Sequence, residues 1–235
     1  MSLAQNAPNH NSKPIAIFDL DGTLIAAHIW QCLVKHQLRR RINLLPALAY
    51  PLVHYPLYPL ARVGLIDLGT FRRIWAERMP WLVAGMTIEQ GQCLFDDLVR
   101  EALLPTLRDE VLLALRQHQE QGYEVILLSG TFEPLLAAFG KAIGVTHAAG
   151  TRLQTNNGRY TGRGLAPLCM GTGKVVRLQQ YLTEIGIDVD WPRSYAYADY
   201  ITDVPVLALV GHPVAVAPDE QLRQHAIQAG WRILE

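Results

Sequence analysis

Cysteine is scarce in this chain: Cys32, Cys93 and Cys169 are three in 235 residues, an odd number with no C-x-x-C spacing. That argues against a disulfide framework and a zinc site, and a reducing cytoplasm is the expected setting. An excess of charge is lacking too, with 21 Lys plus Arg against 21 Asp plus Glu, so nothing here follows a nucleic-acid backbone over a broad surface. Nor is there an uninterrupted apolar run of membrane length. Residues 42–61 carry no formal charge beyond what His54 can take up, yet prolines at 46, 51, 56 and 59 remove backbone donors and kink any helix. Residues 1–13 are polar, contain no apolar h-region and read as a loose tail, so no secretory signal is expected. With 50% apolar and 18% charged residues the balance is globular. The length suits one domain plus an insertion, and the expected partner is small or apolar.

The chain is organised around the stretch 14–24, Pro-Ile-Ala-Ile-Phe-Asp-Leu-Asp-Gly-Thr-Leu. Ile15–Phe18 is apolar throughout, as expected of a strand buried on both faces of a parallel sheet. Asp19 and Asp21 follow at once, and Gly22 permits a sharp turn. Ligands of open α/β sheets bind beyond the carboxyl ends of the strands, so both carboxylates face one crevice. Two such charges repel unless a cation lies between them, and a hard divalent ion with oxygen ligands, Mg2+ above all, suits the pair.

Three later stretches also carry chemistry, two of them at the end of a strand. An apolar run at 124–128 ends in Ser129-Gly130-Thr131 ahead of a helix starting near Glu133, a compact phosphate cradle of hydroxyl and amide. Gly171-Thr172-Gly173-Lys174 opens a helix reaching about Ile185; it is no Walker A loop, because the earlier glycine and the Ser or Thr after the lysine are missing. Tyr195–Ala198 reads as a strand that delivers Asp199 and, about one helical turn on, Asp203.

Asp19-x-Asp21-Gly22-Thr23, Ser129, Lys174 and Asp199-x-x-x-Asp203, in this order, resemble the four motifs of the haloacid dehalogenase superfamily of aspartate-dependent phosphohydrolases, in particular its phosphoserine-phosphatase-like members. The resemblance implies an α/β fold, a Rossmann-like, mostly parallel sheet with an inserted helical cap. It implies Asp19 as nucleophile forming an aspartyl-phosphate, Asp21 as general acid and base, Ser129 and Gly130 as phosphate ligands, and Lys174 as the residue that steadies nucleophile and phosphate charge. Mg2+ would be held by Asp19, the main-chain carbonyl of Asp21, and Asp199, with Asp203 holding a metal-bound water or Lys174. Haloacid dehalogenases lack the second aspartate, so Asp21 favours phosphate over halide. Phosphotransfer to another alcohol and a relic site used for binding are the other classes to weigh.

Between the first two motifs the pattern is helical. Residues 24–38 have apolar positions at helical spacing and lead into Arg39, Arg40 and Arg41; residues 65–104 are amphipathic, with Thr87 and Gln90 spaced as a capping box. The expected division is a core of 14–24 plus 105–235 and a cap of 25–104 that selects the substrate. Further strands are expected at 213–216 and 232–234 with a helix at 220–228 between them, and a hairpin over 151–164 around Asn156-Asn157-Gly158. Phosphoserine phosphatases carry a glutamate nine residues after the nucleophile, where this chain has His28; the departure weakens phosphoserine as substrate, and His28 becomes a candidate pocket donor or a structural residue. The uncharged stretch 42–61, with Tyr50, Tyr55 and Tyr58 beside the three arginines, is expected to pack within the cap, form a homodimer contact or rest against anionic lipid. A lipid phosphate is therefore the runner-up substrate to a small phosphomonoester.

Overall fold

In a computed structural model, residues 12–54, 56, 59, 63 and 68–235 are described. Six apolar runs form one sheet: β1 (Ile15–Phe18), β2 (Glu124–Phe132), β3 (His147–Thr151), β6 (Tyr195–Ala198), β7 (His212–Val216) and β8 (Arg232–Leu234), in the order β3-β2-β1-β6-β7-β8. Every neighbouring pair is parallel. β4 (Leu153–Asn156) and β5 (Arg159–Gly164) make the separate antiparallel hairpin, turning on Asn157 and Gly158, both at positive φ.

The helices are α1 (Ile29–Arg40), α2 (Leu44–His54), α3 (Leu68–Arg78), α4 (Ile88–Leu98), α5 (Asp109–Glu120), α6 (Glu133–Ala142), α7 (Thr172–Ile185), α8 (Val204–Leu207) and α9 (Glu220–Ala229). Thr87 begins α4 with the expected capping box, its side chain accepting from the Gln90 amide while Gln90 answers to the Thr87 amide.

Alternation along the strands divides the core in two. Ala16, Phe18, Val125, Leu127 and Val214 face one layer with α5, α6 and the helices that follow β1. Ile15, Ile17, Ile126, Leu128 and Ala215 face the other, built on Leu178 and Leu182 of α7 and Leu222 and Ala226 of α9. From β1 the chain builds outward through β2 and β3, then returns to the other side of β1 for β6 to β8. The reversal lies between β1 and β6, which is where open α/β sheets form their ligand crevice.

Several sequence expectations are corrected. No helix begins at 24: the Ile25 amide donates to the Leu20 carbonyl, the Gly22 amide to the Ile25 carbonyl and the Ala26 amide to the Thr106 carbonyl, so this backbone closes a turn and α1 starts at Ile29. Leu24 and Ile25 are apolar because they are fully buried under that turn. Past the inserted segment a helix starts at Asp109, since 106–108 pair with the chain leaving β1: the Arg108 amide donates to the Leu24 carbonyl, and Ile25 bridges Leu107. Strand β3 carried no sequence signal of its own. A Cβ on its Gly150 would stand 2.8 Å from the Thr131 carbonyl of β2 and 2.9 Å from the Glu133 backbone at the start of α6.

Tyr50 does not face outward. It is fully buried, its hydroxyl donating to the Trp75 carbonyl at 2.8 Å; Tyr55 and Tyr58 lie outside the described residues. The three arginines are not a free cluster either, because Arg39 and Arg40 both pair with Glu101. Of the expected tail, residues 1–11 lie outside the described residues, whereas Lys13 bridges Val189 and pairs with Glu124 at 2.9 Å. Among the described residues, no helix is long and apolar enough to cross a membrane.

Candidate active site

Register places the site. Phe18 is opposite Leu127 on one side and Tyr197 on the other, so Asp19 emerges between two strands that deliver Ser129 and Asp199 one residue further along. The Asp19 amide is tied to the Tyr197 carbonyl at 3.0 Å. Lys174, in the first turn of α7, reaches into this gap, its Nζ 3.0 Å from Asp19 Oδ1 and 2.8 Å from Asp203 Oδ1. All three groups are buried. Asp199 completes the cluster: carboxylate oxygens of Asp19, Asp199 and Asp203 lie within 4.8 Å of one another, and the Thr23 hydroxyl donates to Asp199 Oδ1 at 3.2 Å.

Three carboxylates around one ammonium leave an excess of negative charge. Burial first, then the charges of Asp203 and Asp199, push Asp19 up to about 8 against the pull of Lys174. Burial and Asp203 push Asp199 up to about 6. Burial alone would push Lys174 down, but Asp19 and Asp203 outweigh it and hold it above its ordinary range. A hard divalent cation among these oxygens relieves the same excess, and an all-oxygen donor set fits Mg2+ rather than a thiolate- or imidazole-seeking metal.

Gly22 is required twice over. Its φ of +84° lies in the left-handed region, and a Cβ there would fall 2.1 Å from Asp199 Oδ2. Arg108 supports the same turn, its Nε donating to the Gly22 carbonyl at 3.2 Å. The turn leaves Asp21 at the mouth, with 34% of its side chain exposed. There the carboxylate accepts from the Ile29 amide at 3.2 Å, and His28 Nδ1 lies 3.2 Å from its other oxygen. His28 is thus brought to the site at the start of α1, beside Asp21 and exposed.

Near the end of β2 the Thr131 amide donates to Ser129 Oγ at 3.4 Å, and from β3 the Thr151 hydroxyl donates to the Gly130 carbonyl at 2.8 Å. Thr131 Oγ1 is buried without a hydrogen-bond partner in the protein. Behind the loop, buried Arg177 donates to Glu133 Oε2 at 2.6 Å and links α7 to α6. Sequence reasoning named Thr131 in the cradle but missed Arg108, Thr151 and Arg177. Each looks locally like an ordinary helix or loop residue, and only the tertiary partner, between 21 and 86 residues away for Arg108, Thr151 and Arg177, gives it meaning.

Residues 16–208 match the family described as haloacid dehalogenase-like hydrolase. The histidinol-phosphatase of Neisseria meningitidis serogroup C is 31% identical over 228 residues, covering 94% of this chain and 98% of that protein. Phosphoserine phosphatase SerB1 of Mycobacterium tuberculosis is 29% identical over 224 residues, 93% of this chain and 69% of that protein. Among solved structures, a protein of unknown function from Bordetella pertussis Tohama I superimposes with a TM-score of 0.79 at 27% identity, over 95% of this chain and 99% of that one. A phospho-aspartyl intermediate analogue of phosphoserine phosphatase shares the fold, with a TM-score of 0.61 at 16% identity over 95% and 93%. With the carboxylates at the sheet's reversal point and a match over most of its length, the chain belongs to the haloacid dehalogenase-like hydrolases and, within them, to the phosphatases.

Proposed function

We propose that this chain is a Mg2+-dependent phosphomonoesterase that works through an aspartyl-phosphate on Asp19. The observation that carries the reading is Lys174 Nζ held between Asp19 and Asp203 at 3.0 and 2.8 Å, with the partly exposed Asp21 two residues on. Mg2+, held by Asp19, Asp199 and the main-chain carbonyl of Asp21, would supply charge neutralisation for the carboxylates and the incoming phosphate. An Asp19 oxygen attacks phosphorus as the ester P–O bond breaks, and Asp21 gives its proton to the departing alkoxide. Asp21, now a carboxylate, takes a proton from the water whose oxygen attacks phosphorus, and Asp19 leaves as inorganic phosphate forms. Ser129 and Gly130 hold phosphate oxygens, and Lys174 holds the Asp19 carboxylate and offsets phosphate charge.

Residues 25–104 act as a cap over this crevice and select the leaving group. The substrate class is a small phosphomonoester. Histidinol phosphate is the first to test, after the Neisseria relative that covers 94% of this chain; phosphoserine is the second, after the mycobacterial one, and a lipid phosphate the third. Phosphoserine is expected to be poor, because His28 stands where phosphoserine phosphatases carry the glutamate that meets their substrate. The test is inorganic phosphate release from these three and from a generic aryl phosphate, with and without chelator, by wild type and Asp19→Asn. Loss of turnover in the variant with the fold intact is expected. Retention of more than a few per cent of the rate would remove Asp19 as nucleophile, and phosphoserine as the best substrate would overturn the role given to His28.

A further inference from the structure

Helix α2 is apolar on both of its sides. Ala47, Tyr50 and His54 are fully buried, at the spacing of one inward stripe. Every residue the helix exposes is apolar as well: Leu44, Leu45, Leu48, Ala49, Leu52 and Val53. Leu45, Leu48 and Leu52 keep 83%, 55% and 75% of their surface, and their spacing puts them on one outward face. A helix apolar all round is stable in water only when that outer face is covered.

Charge indicates the cover. Residues 25–86 hold eight Lys or Arg but two acids, Asp67 and Glu77; with Glu101, which pairs with Arg39 and Arg40, eight basic groups still face three acids, in a chain whose totals balance at 21 each. A second copy would set this positive excess against itself, whereas an anionic lipid surface attracts it. Arg41 stands exposed at the end of α1, just before α2 begins. From there α2 runs back toward the start of α1, where the Tyr50 ring lies 6.5 Å from that of Trp30. The apolar face thus leads from a basic corner toward the end of α1 that holds Asp21.

We infer that the exposed face of α2 docks the protein on a lipid surface carrying anionic headgroups, lying in the interface without crossing it. The inference goes beyond the phosphatase reading and stands whether or not that reading holds.

The test is co-sedimentation of the full chain with vesicles of phosphatidylglycerol and phosphatidylcholine, and of phosphatidylcholine alone. Binding to the anionic vesicles at low salt, weakened by added salt, is expected. The triple variant Leu45→Gln, Leu48→Gln, Leu52→Gln should lower binding about tenfold or more, and Arg41→Gln about fivefold. The thermal melt of the triple variant should match that of wild type, which separates lost docking from lost folding. No sedimentation of wild type at low salt, or a triple variant that pellets like wild type, overturns the inference. So does a wild-type dimer in light scattering that the triple variant dissolves without any vesicle binding, which would assign the face to a second copy.

Discussion

Replacing Gly22 by alanine probes the backbone of the site and its chemistry at once. At a φ of +84° an alanine costs about 1–2 kcal/mol, which for a domain of this size lowers the melting temperature by about 2–8 °C. The new methyl also falls 2.1 Å from Asp199 Oδ2, so the carboxylate must retreat by about 1 Å, a displacement that costs on the order of 100-fold in rate when it disturbs a reacting geometry. Gly186→Ala separates the two effects. Gly186 has a φ of +68° but nothing within 4 Å of its added Cβ, so it should lose comparable stability and keep full turnover. Thermal melts give the first quantity, and aryl phosphate hydrolysis titrated with Mg2+ gives the second. If Gly22→Ala works within about threefold of wild type at saturating Mg2+, a rate this size demands no intact Gly22–Asp199 contact, and the argument from close approach is wrong.

Lys174→Ala should cost about 100-fold or more in steady-state turnover, as removal of a preorganised charge donor does; an unchanged rate would leave Lys174 a structural partner of Asp203 alone. A second expectation concerns acid stability. Burial pushes His118 down to about 4, so the folded protein keeps it neutral while the unfolded chain, titrating near 6.5, takes up a proton. Stability is whole above about pH 6.5 and falls as pH drops toward 4, by about 2 kcal/mol at about pH 5. Thermal melts at neutral and mildly acid pH should show a fall that His118→Phe flattens; an equal fall in the variant would place the acid sensitivity elsewhere.

The parts of the fold that were legible are those whose signal is local. Ile15–Phe18 and Tyr195–Ala198 are apolar runs followed at once by acids, and both are the strands observed. The hairpin followed from two turn residues and the start of α4 from a capping box. What failed was the inference from apolar spacing to helix at 24–28: Leu24 and Ile25 are buried by a turn whose hydrogen bonds go to Leu20 and to Thr106, far along the chain. The basic cluster misled for the same reason, since Glu101, which pairs with Arg39 and Arg40, lies 62 and 61 residues away. At the site, the carboxylates and the lysine that follow strand ends or open a helix could be read in order, whereas Arg108 and Arg177 could not, because an arginine that props a turn carries the same local pattern as one in solvent.

The chain leaves β1 and comes back toward β2 through two segments that are hydrogen-bonded to each other, Ala26 to Thr106 at 2.8 Å and Arg108 to Leu24 at 2.9 Å. Everything between them is a loop whose ends are already fastened. Lengthening such a loop adds entropy cost only slowly, about 0.6 kcal/mol for each doubling, and the sheet feels none of it while the fastening holds. The carboxylate cluster and the helices beside it can therefore diverge at different speeds: a lineage can exchange the inserted helices without re-solving the placement of Asp19.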